Sequence, residues 1–189
     1  MMRIETPRLI IRNWEERDRD LFHRINSDDR VMEFFPFRRT REEADAFMET
    51  IRAANEERGY GFAALELRET GECMGFAGLH SDSVAPARLP GAMEIGWRLA
   101  PEYWGKGYVT EAAEALLDFG FVTLDLDEII SFAVWDNDRS TSVMRRIGMA
   151  AEPESDFDHP RVPDTHPHLK RHAFYRITRD EWRMRKKAV

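Results

Sequence analysis

Hydrophobic and polar positions change period several times along the chain, and each change marks an element. From Met93 to Leu99 they alternate. Ile95, Trp97 and Leu99 fall on one face and Glu94, Gly96 and Arg98 on the other, the period-two pattern of a strand. A glycine-bearing stretch follows, Trp104-Gly105-Lys106-Gly107-Tyr108. Apolar residues then recur at Val109, Ala112, Ala113, Leu116, Leu117 and Phe121, which is helical spacing from about Gly107 to Phe121. Upstream, Leu9–Arg12 reads as a strand and Glu15–Asn26 as a helix carrying Leu21, Phe22 and Ile25. Thr40-Arg-Glu-Glu43 is a capping box before a second helix with Ala44, Phe47, Met48 and Ile51 inward and Gly59 as its stop. Tyr60–Leu67 and Glu72–Leu79 read as strands joined by a turn at Glu69-Thr-Gly71. Ser81–Gly91, with Pro86 and Pro90, reads as a flexible loop.

Downstream, Glu128–Val134 reads as a buried strand. Asn137 or Asp138 caps a helix with Val143, Met144 and Ile147 inward and Gly148 at its end. Glu152–Leu169 holds five acidic residues, four prolines and three histidines, so it reads as an irregular loop. Arg171–Ile177 is a last strand, and Thr178-Arg-Asp-Glu181 caps a short final helix. The order β-α-α-β-β-β-α-β-α-loop-β predicts a mixed α/β fold rather than a regular βαβ repeat. A length of 189 residues predicts one domain, residues 1–189.

Composition narrows the class. Apolar content of 42% with 11% aromatics suits a folded globular chain. A net charge of −7 argues against a broadly basic nucleic-acid-binding surface. Cys73 is the one cysteine, which excludes an intrachain disulfide and fits a reducing compartment. No apolar run is long enough to span a bilayer, and the N-terminus lacks a signal core. The expectation is a cytoplasmic protein, without membrane or nucleic-acid partners, that is a monomer or a homodimer.

The glycine stretch carries the first chemistry. A strand, a glycine loop and a helix place backbone N–H groups at a helix N-terminus, where positive partial charge binds phosphate. Glycines let the backbone approach such an anion. The stretch is not a Walker loop, because no Gly-Lys-Ser/Thr follows Lys106. It is not the dinucleotide fingerprint, because the third glycine is missing. A plain strand-to-helix turn stays open at this point.

A second segment changes the reading. Phe132-Ala-Val-Trp-Asp-Asn137-Asp-Arg-Ser140 runs on to Ile147-Gly148-Met149. This resembles the second signature of the Gcn5-related N-acetyltransferase (GNAT) superfamily, an Asn-x-x-Ser helix ending in apolar-Gly-apolar. The glycine loop is similar to that superfamily's first signature, Gln/Arg-x-x-Gly-x-Gly/Ala. Trp104 stands at the Gln/Arg position and Val109 at the final Gly/Ala. Leu9-Ile-Ile-Arg12 and Tyr175-Arg-Ile177 add a resemblance to the ribosomal-protein-alanine (RimJ/RimL-like) branch, and together the likeness covers almost the whole chain.

The resemblance implies a GNAT-like acyl-CoA N-acyltransferase fold: a mostly antiparallel sheet splayed at its two central strands, with helices on both faces. It implies acetyl-CoA as donor. The pyrophosphate would rest on Gly105, Lys106, Gly107, Tyr108, Val109 and Thr110. The pantetheine would run beside Trp97, Arg98 and Leu99 like an added strand, and Asn137 would touch its side. Asn137 as a simple N-cap stays compatible with that role.

Acetyl transfer to an amine needs a base, because an α-amino group titrates near 8 and a lysine near 10.4 and only the neutral amine attacks. Glu94 is the candidate base. Ser140, in the family's helix position, is the candidate acid for the leaving thiolate, with Tyr108 and Tyr175 as alternatives. Backbone donors near Trp97 would serve the oxyanion. The acceptor is a primary amine, on a peptide N-terminus or a small molecule, and the acidic chain suits a basic one. Its recognition would fall to loops Phe34–Arg39, Ser81–Gly91 and Asp156–Leu169. His159, His166, His168 and His172 have no helical i, i+4 pair and no partner cysteine, so no metal is expected. Cys73 reads as a small strand residue. A non-catalytic acyl-CoA-binding module and a nucleotide-binding regulator remain as other classes.

Overall fold

A computed structural model describes residues 3–81 and 92–187. The chain divides into two compact units, Met1–His80 with Gly96–Ala115, and Ser81–Ile95 with Leu116–Val189.

In the first unit, β1 (Ile4–Glu5), β2 (Leu9–Arg12), β3 (Phe62–Leu67) and β4 (Cys73–Ser81) form an antiparallel meander, in registers such as Ile4–Ile11, Leu9–Leu67 and Phe62–Gly78. Helices α1 (Arg19–Ser27) and α2 (Arg41–Arg58) lie between β2 and β3 in the chain. Their apolar faces bury Phe22, Ile25, Ala44, Met48 and Ile51 against Trp14, Ala64 and Phe76. The Trp14 and Phe22 rings meet edge to face at 4.7 Å, a geometry favoured by their quadrupoles. The capping box of α2 is formed: Glu43 N donates to Thr40 Oγ1 at 3.2 Å and Thr40 N to Glu43 Oε2 at 2.9 Å. Gly59 ends the helix at φ +81°.

Arg12 is buried in this unit and forks onto Asp18 through Nη1 (2.7 Å) and Nη2 (3.0 Å), while its Nε donates to Glu66 at 2.7 Å. Asp18 also accepts from Glu15 N. The helix expected from Glu15 therefore starts as a 3-10 turn, Glu16–Asp18, before α1 begins at Arg19.

In the second unit, β6 (Glu128–Val134) pairs antiparallel with β9 (Arg171–Thr178), which also takes β7 (Ala150–Ala151) and β8 (Phe157–Asp158). The start of β5 (Met93–Leu99) meets β6 in parallel register at Glu94–Ile130, and Ser131 Oγ donates to Ile95 O at 2.9 Å. Every other described pairing above is antiparallel, so the sheet is mostly antiparallel and the fold mixed α/β. Helix α4 (Asp138–Arg146) buries Met144, with Ile147 just beyond its end, and α5 (Arg179–Lys187) closes the chain. Thr178 N and Oγ1 both donate to Glu181, as the terminal cap motif predicts.

Strand β5 and helix α3 (Tyr108–Asp118) each contribute residues to both units. Helix α3 starts one residue later than its periodicity suggests and widens into a π turn at Phe119–Thr123. The two-residue strands β1, β7 and β8 escape sequence reading because two residues carry no period. β8 and two 3-10 turns interrupt the segment expected to be irregular, Glu152–Leu169. The loop reading of Ser81–Gly91 lies outside the described residues except Ser81, the last residue of β4.

Candidate active site

The glycine loop belongs to the first unit. After a 3-10 turn at Pro101–Tyr103, the Trp104 indole donates to Leu99 O at 2.8 Å and ties the loop to the end of β5. Gly105 and Gly107 sit at φ +72° and +77°, in the left-handed region where a side chain is strained. A Cβ on Gly105 would meet nothing within 4 Å, so backbone conformation is what requires glycine there. Glu111 N donates to Gly107 O at 3.1 Å. The N–H groups of Tyr108 and Val109 lie ahead of that first intrahelical bond. Exposed Gly105-Lys106-Gly107 leads into them, with Lys106 Nζ 5.6 Å from the Tyr103 ring centroid. Val109 and Thr110 are half-buried in the first turn. This backbone fits a pyrophosphate.

Arg8, which no local pattern marks, braces the loop from below. Its Nε donates to Glu111 Oε2 at 2.6 Å, its N to Glu111 Oε1 at 2.9 Å and its Nη1 to Lys106 O at 2.9 Å. Its guanidinium lies 4.6 Å from the Tyr108 ring centroid. Thr6 Oγ1 adds a 2.6 Å bond to Glu111. Burial raises the Glu111 pKa, but the bonds from Thr6 and Arg8 outweigh it and hold the carboxyl below its usual range. Glu111 thus stays an anion beneath the loop.

Leu99 is buried, while Trp97 and Arg98 are half-buried. The Arg98 side chain turns to the α1 side of the unit: Nη1 donates to buried Asn26 Oδ1 at 2.7 Å, and the guanidinium lies 4.3 Å from the Phe35 ring centroid. Only its backbone is left for the strand-like role expected at Trp97–Leu99.

In the second unit, half-buried Glu94 is placed on β5 opposite Ile130. Asn137 is the N-cap of α4, and its Oδ1 accepts from Ser140 N at 3.2 Å. The Ser140 hydroxyl makes no hydrogen bond to another described residue. Tyr175 is buried and its hydroxyl accepts from Arg145 Nη1 at 2.8 Å, and Tyr108 lies under Arg8. Both alternative acids are thus engaged in packing.

The histidines segregate. His172 is buried in an aromatic cluster with Phe132, Phe157 and His159, its ring 4.9 Å from that of His159. Among the described residues no group of three or more His, Cys, Asp or Glu could hold a metal. Burial lowers the His172 pKa, partly offset by the Lys170 carbonyl and Asp158. The unfolded chain therefore binds this proton at higher pH than the folded chain. Stability is expected to fall as pH drops below about 6.5, the ordinary histidine value, and to level off once folded His172 also protonates. His172→Phe should flatten this slope, measured as urea midpoints at several pH values between 7.5 and 5. An unchanged slope would assign the acid sensitivity to other groups. Burial pushes the Cys73 thiol up to about 12, which removes it as a nucleophile. No helix among the described residues is long and apolar enough to cross a membrane.

Residues 8–150 match the family model of the acetyltransferase (GNAT) domain. The chain is 34% identical over 160 residues to the uncharacterized N-acetyltransferase YnaD of Bacillus subtilis (strain 168), across 80% of this chain and 84% of that one. A GNAT-family acetyltransferase structure from Bacillus anthracis matches with a TM-score of 0.78 and 29% identity, over 95% of this chain and 99% of that one. Spermidine N-acetyltransferase from Vibrio cholerae, solved with CoA and spermine, shares the fold at a TM-score of 0.72 and 16% identity, over 94% and 99% of the two chains.

Proposed function

The chain belongs to the GNAT acetyltransferase family, and on that footing we propose that it moves an acetyl group from acetyl-CoA to a primary amine by direct attack in a ternary complex. The observation that carries this reading is the Arg8-braced glycine loop, with Gly105 and Gly107 in the left-handed region ahead of α3. Gly105, Lys106, Gly107, Tyr108, Val109 and Thr110 hold the pyrophosphate. The backbone of Trp97, Arg98 and Leu99 lines the pantetheine, and Asn137 contributes to the same ligand. The thioester supplies the activated acetyl group.

The residues then manage protons. Glu94 takes one from the ammonium of the acceptor, directly or through a water, so that the neutral amine attacks the carbonyl carbon. Backbone N–H groups near Trp97 stabilise charge on the carbonyl oxygen. As the C–N bond forms and the C–S bond breaks, Ser140 passes its proton to the departing sulfur and takes up the second proton that the nitrogen loses, while the proton held by Glu94 goes to solvent. The products are an amide and free CoA. The family match runs through residues of both units, which supports one catalytic domain. Leu9-Ile-Ile-Arg12 and Tyr175-Arg-Ile177 support the ribosomal-protein-alanine branch and a protein N-terminus as acceptor, with a small amine as the other source. On this reading the enzyme works in the cytoplasm without a metal, as a monomer or homodimer.

An acceptor screen with acetyl-CoA, read by mass spectrometry, tests the proposal. Acetylated amine and free CoA should appear together. Tight acetyl-CoA binding with no product across amines and peptides would turn the reading to a non-catalytic acyl-CoA-binding module. Thermal stabilisation by ATP or NAD in place of acetyl-CoA would overturn the donor itself. Arg8→Ala should weaken acetyl-CoA binding roughly tenfold by releasing Lys106 O and Glu111, as calorimetry can measure. An unchanged affinity would make Arg8 a purely structural brace.

A further inference from the structure

Arginines in the first unit are mostly paired with carboxylates: Arg12 with Asp18, Arg19 with Glu49, Arg24 with Glu102, Arg38 with Asp29 and Arg41 with Asp20. Arg39 and Arg98 are different. Among the described residues, neither makes an ion pair. The side-chain hydrogen bond of Arg98 goes to a neutral group, Asn26 Oδ1, at 2.7 Å. The Arg39 Nε–H is buried and meets no acceptor among the described residues. A buried donor in that state costs the full desolvation of the group.

The two cations are held close together. Fully buried Asn26 anchors both: its backbone O accepts from Arg39 N at 2.9 Å while its Oδ1 holds Arg98. Burial pushes the Arg98 guanidinium down to about 9, and the charge of Arg39 pushes it the same way. Aromatic rings carry the pair. Arg98 lies 4.3 Å from the Phe35 centroid and 5.3 Å from Phe76. Arg39 lies 4.9 Å from Phe37 and 4.3 Å from Phe47. Ring faces offset part of the cost of a desolvated cation but leave its N–H edge without an acceptor. Phe35 and Phe37 are themselves exposed, so the cluster opens to solvent.

Two neighbouring guanidinium groups with spare donors, on an apolar floor, match a carboxylate borne by an apolar body. We propose that Arg39 and Arg98 form an anion subsite for the acceptor, so that the amine acetylated carries a carboxylate beside an apolar or aromatic group. This rests on the acyl-transfer reading above and narrows its acceptor. It reverses, locally, the preference for a basic acceptor that the net charge of −7 suggests. The carboxylate can belong to a free amino acid or to an acidic side chain near a peptide N-terminus.

The test separates binding from turnover. Calorimetry on the full chain compares 3-phenylpropionate, its neutral amide and inorganic phosphate. The carboxylate should bind about tenfold or more tightly than the amide. Arg39→Gln should abolish that difference, and Arg39→Lys should restore part of it. Arg98→Gln should act like Arg39→Gln, with far-UV circular dichroism confirming that each variant is folded. Equal binding of acid and amide, a difference that survives both Gln variants, or tighter binding of phosphate would each overturn the proposal. In parallel, free phenylalanine, phenylalaninamide, and peptides with acidic or neutral second residues are offered as acceptors with acetyl-CoA. A higher kcat/KM for free phenylalanine, or for the acidic peptide, supports the subsite and names its source. Arginine-dependent carboxylate binding without any acetylated amine would keep the subsite and sink acyl transfer. Acetylation that ignores the carboxylate would do the reverse.

Discussion

Glu94→Gln is expected to lower kcat about 10²–10⁴-fold, the range that general-base catalysis supplies, while the affinity for acetyl-CoA stays within a factor of about two. Gln keeps the size and hydrogen-bonding reach of Glu and removes only the proton acceptor. With wild-type enzyme the rate should rise with pH as the base ionises and again as the amine does. In the variant the first rise disappears, and the remaining dependence follows the amine alone, near 8 for an α-amino group. Steady-state rates across pH, with acetyl-CoA binding measured separately, check both parts. A kcat within threefold of wild type would place the base elsewhere. Glu94 is the second residue of β5 and is placed opposite Ile130 of β6.

Arg12→Ala is expected to cost about 3–5 kcal/mol of stability, the usual loss when one member of a buried ion pair is removed. Asp18 is 2% exposed and Glu66 9%, so neither carboxylate can recover its hydration in the variant. Arg17 would still reach Glu66 at 2.7 Å, but Asp18 would lose both guanidinium bonds and keep the one from Glu15 N. Burial works against the Arg12 charge, and the bonds to Asp18 and Glu66 more than reverse that, raising its pKa. Such a loss is a large share of the roughly 5–15 kcal/mol that holds most domains folded. Urea unfolding monitored by tryptophan fluorescence and circular dichroism would measure it. Arg12→Lys should fall between, because an ammonium cannot fork onto Asp18 while also reaching Glu66. A shift under about 1 kcal/mol for the Ala variant would show that the network relaxes into solvent. Arg12 also ends the Leu9-Ile-Ile-Arg12 segment, and its bonds to Asp18 and Glu66 tie that segment into the packing of the first unit.

Different physics made different parts of the molecule legible. The capping box at Thr40–Glu43, the stop at Gly59 and the β5 boundaries involve residues within a few positions of one another, and all three match the structure. The glycine loop and the Asn137 cap are equally local, which is why their backbone geometry agrees with their spacing. The 3-10 start of α1 was not legible, because it depends on Asp18 being claimed by Arg12. Nor was the direction of the Arg98 side chain. Alternation places it on a face, but a polar strand residue reads the same whether it meets solvent, a cofactor or Asn26.

The sequence alone determined the longer elements and their order, the glycine turn ahead of α3 and, by resemblance, the GNAT family. Each depends on periodicity, turn chemistry or a short contiguous motif, and such terms need only neighbouring residues. Tertiary structure alone decided what surrounds them. Arg8 reaches Glu111 across 103 positions and Arg98 reaches Asn26 across 72, and Arg39 is left with a buried donor that no described residue meets. Net charge sums over every residue and so hides that Arg39 and Arg98 make no ion pair among the described residues. Whether a charge is neutralised depends on which distant carboxylate the folded backbone brings within bonding distance, and that is a property of the packed chain.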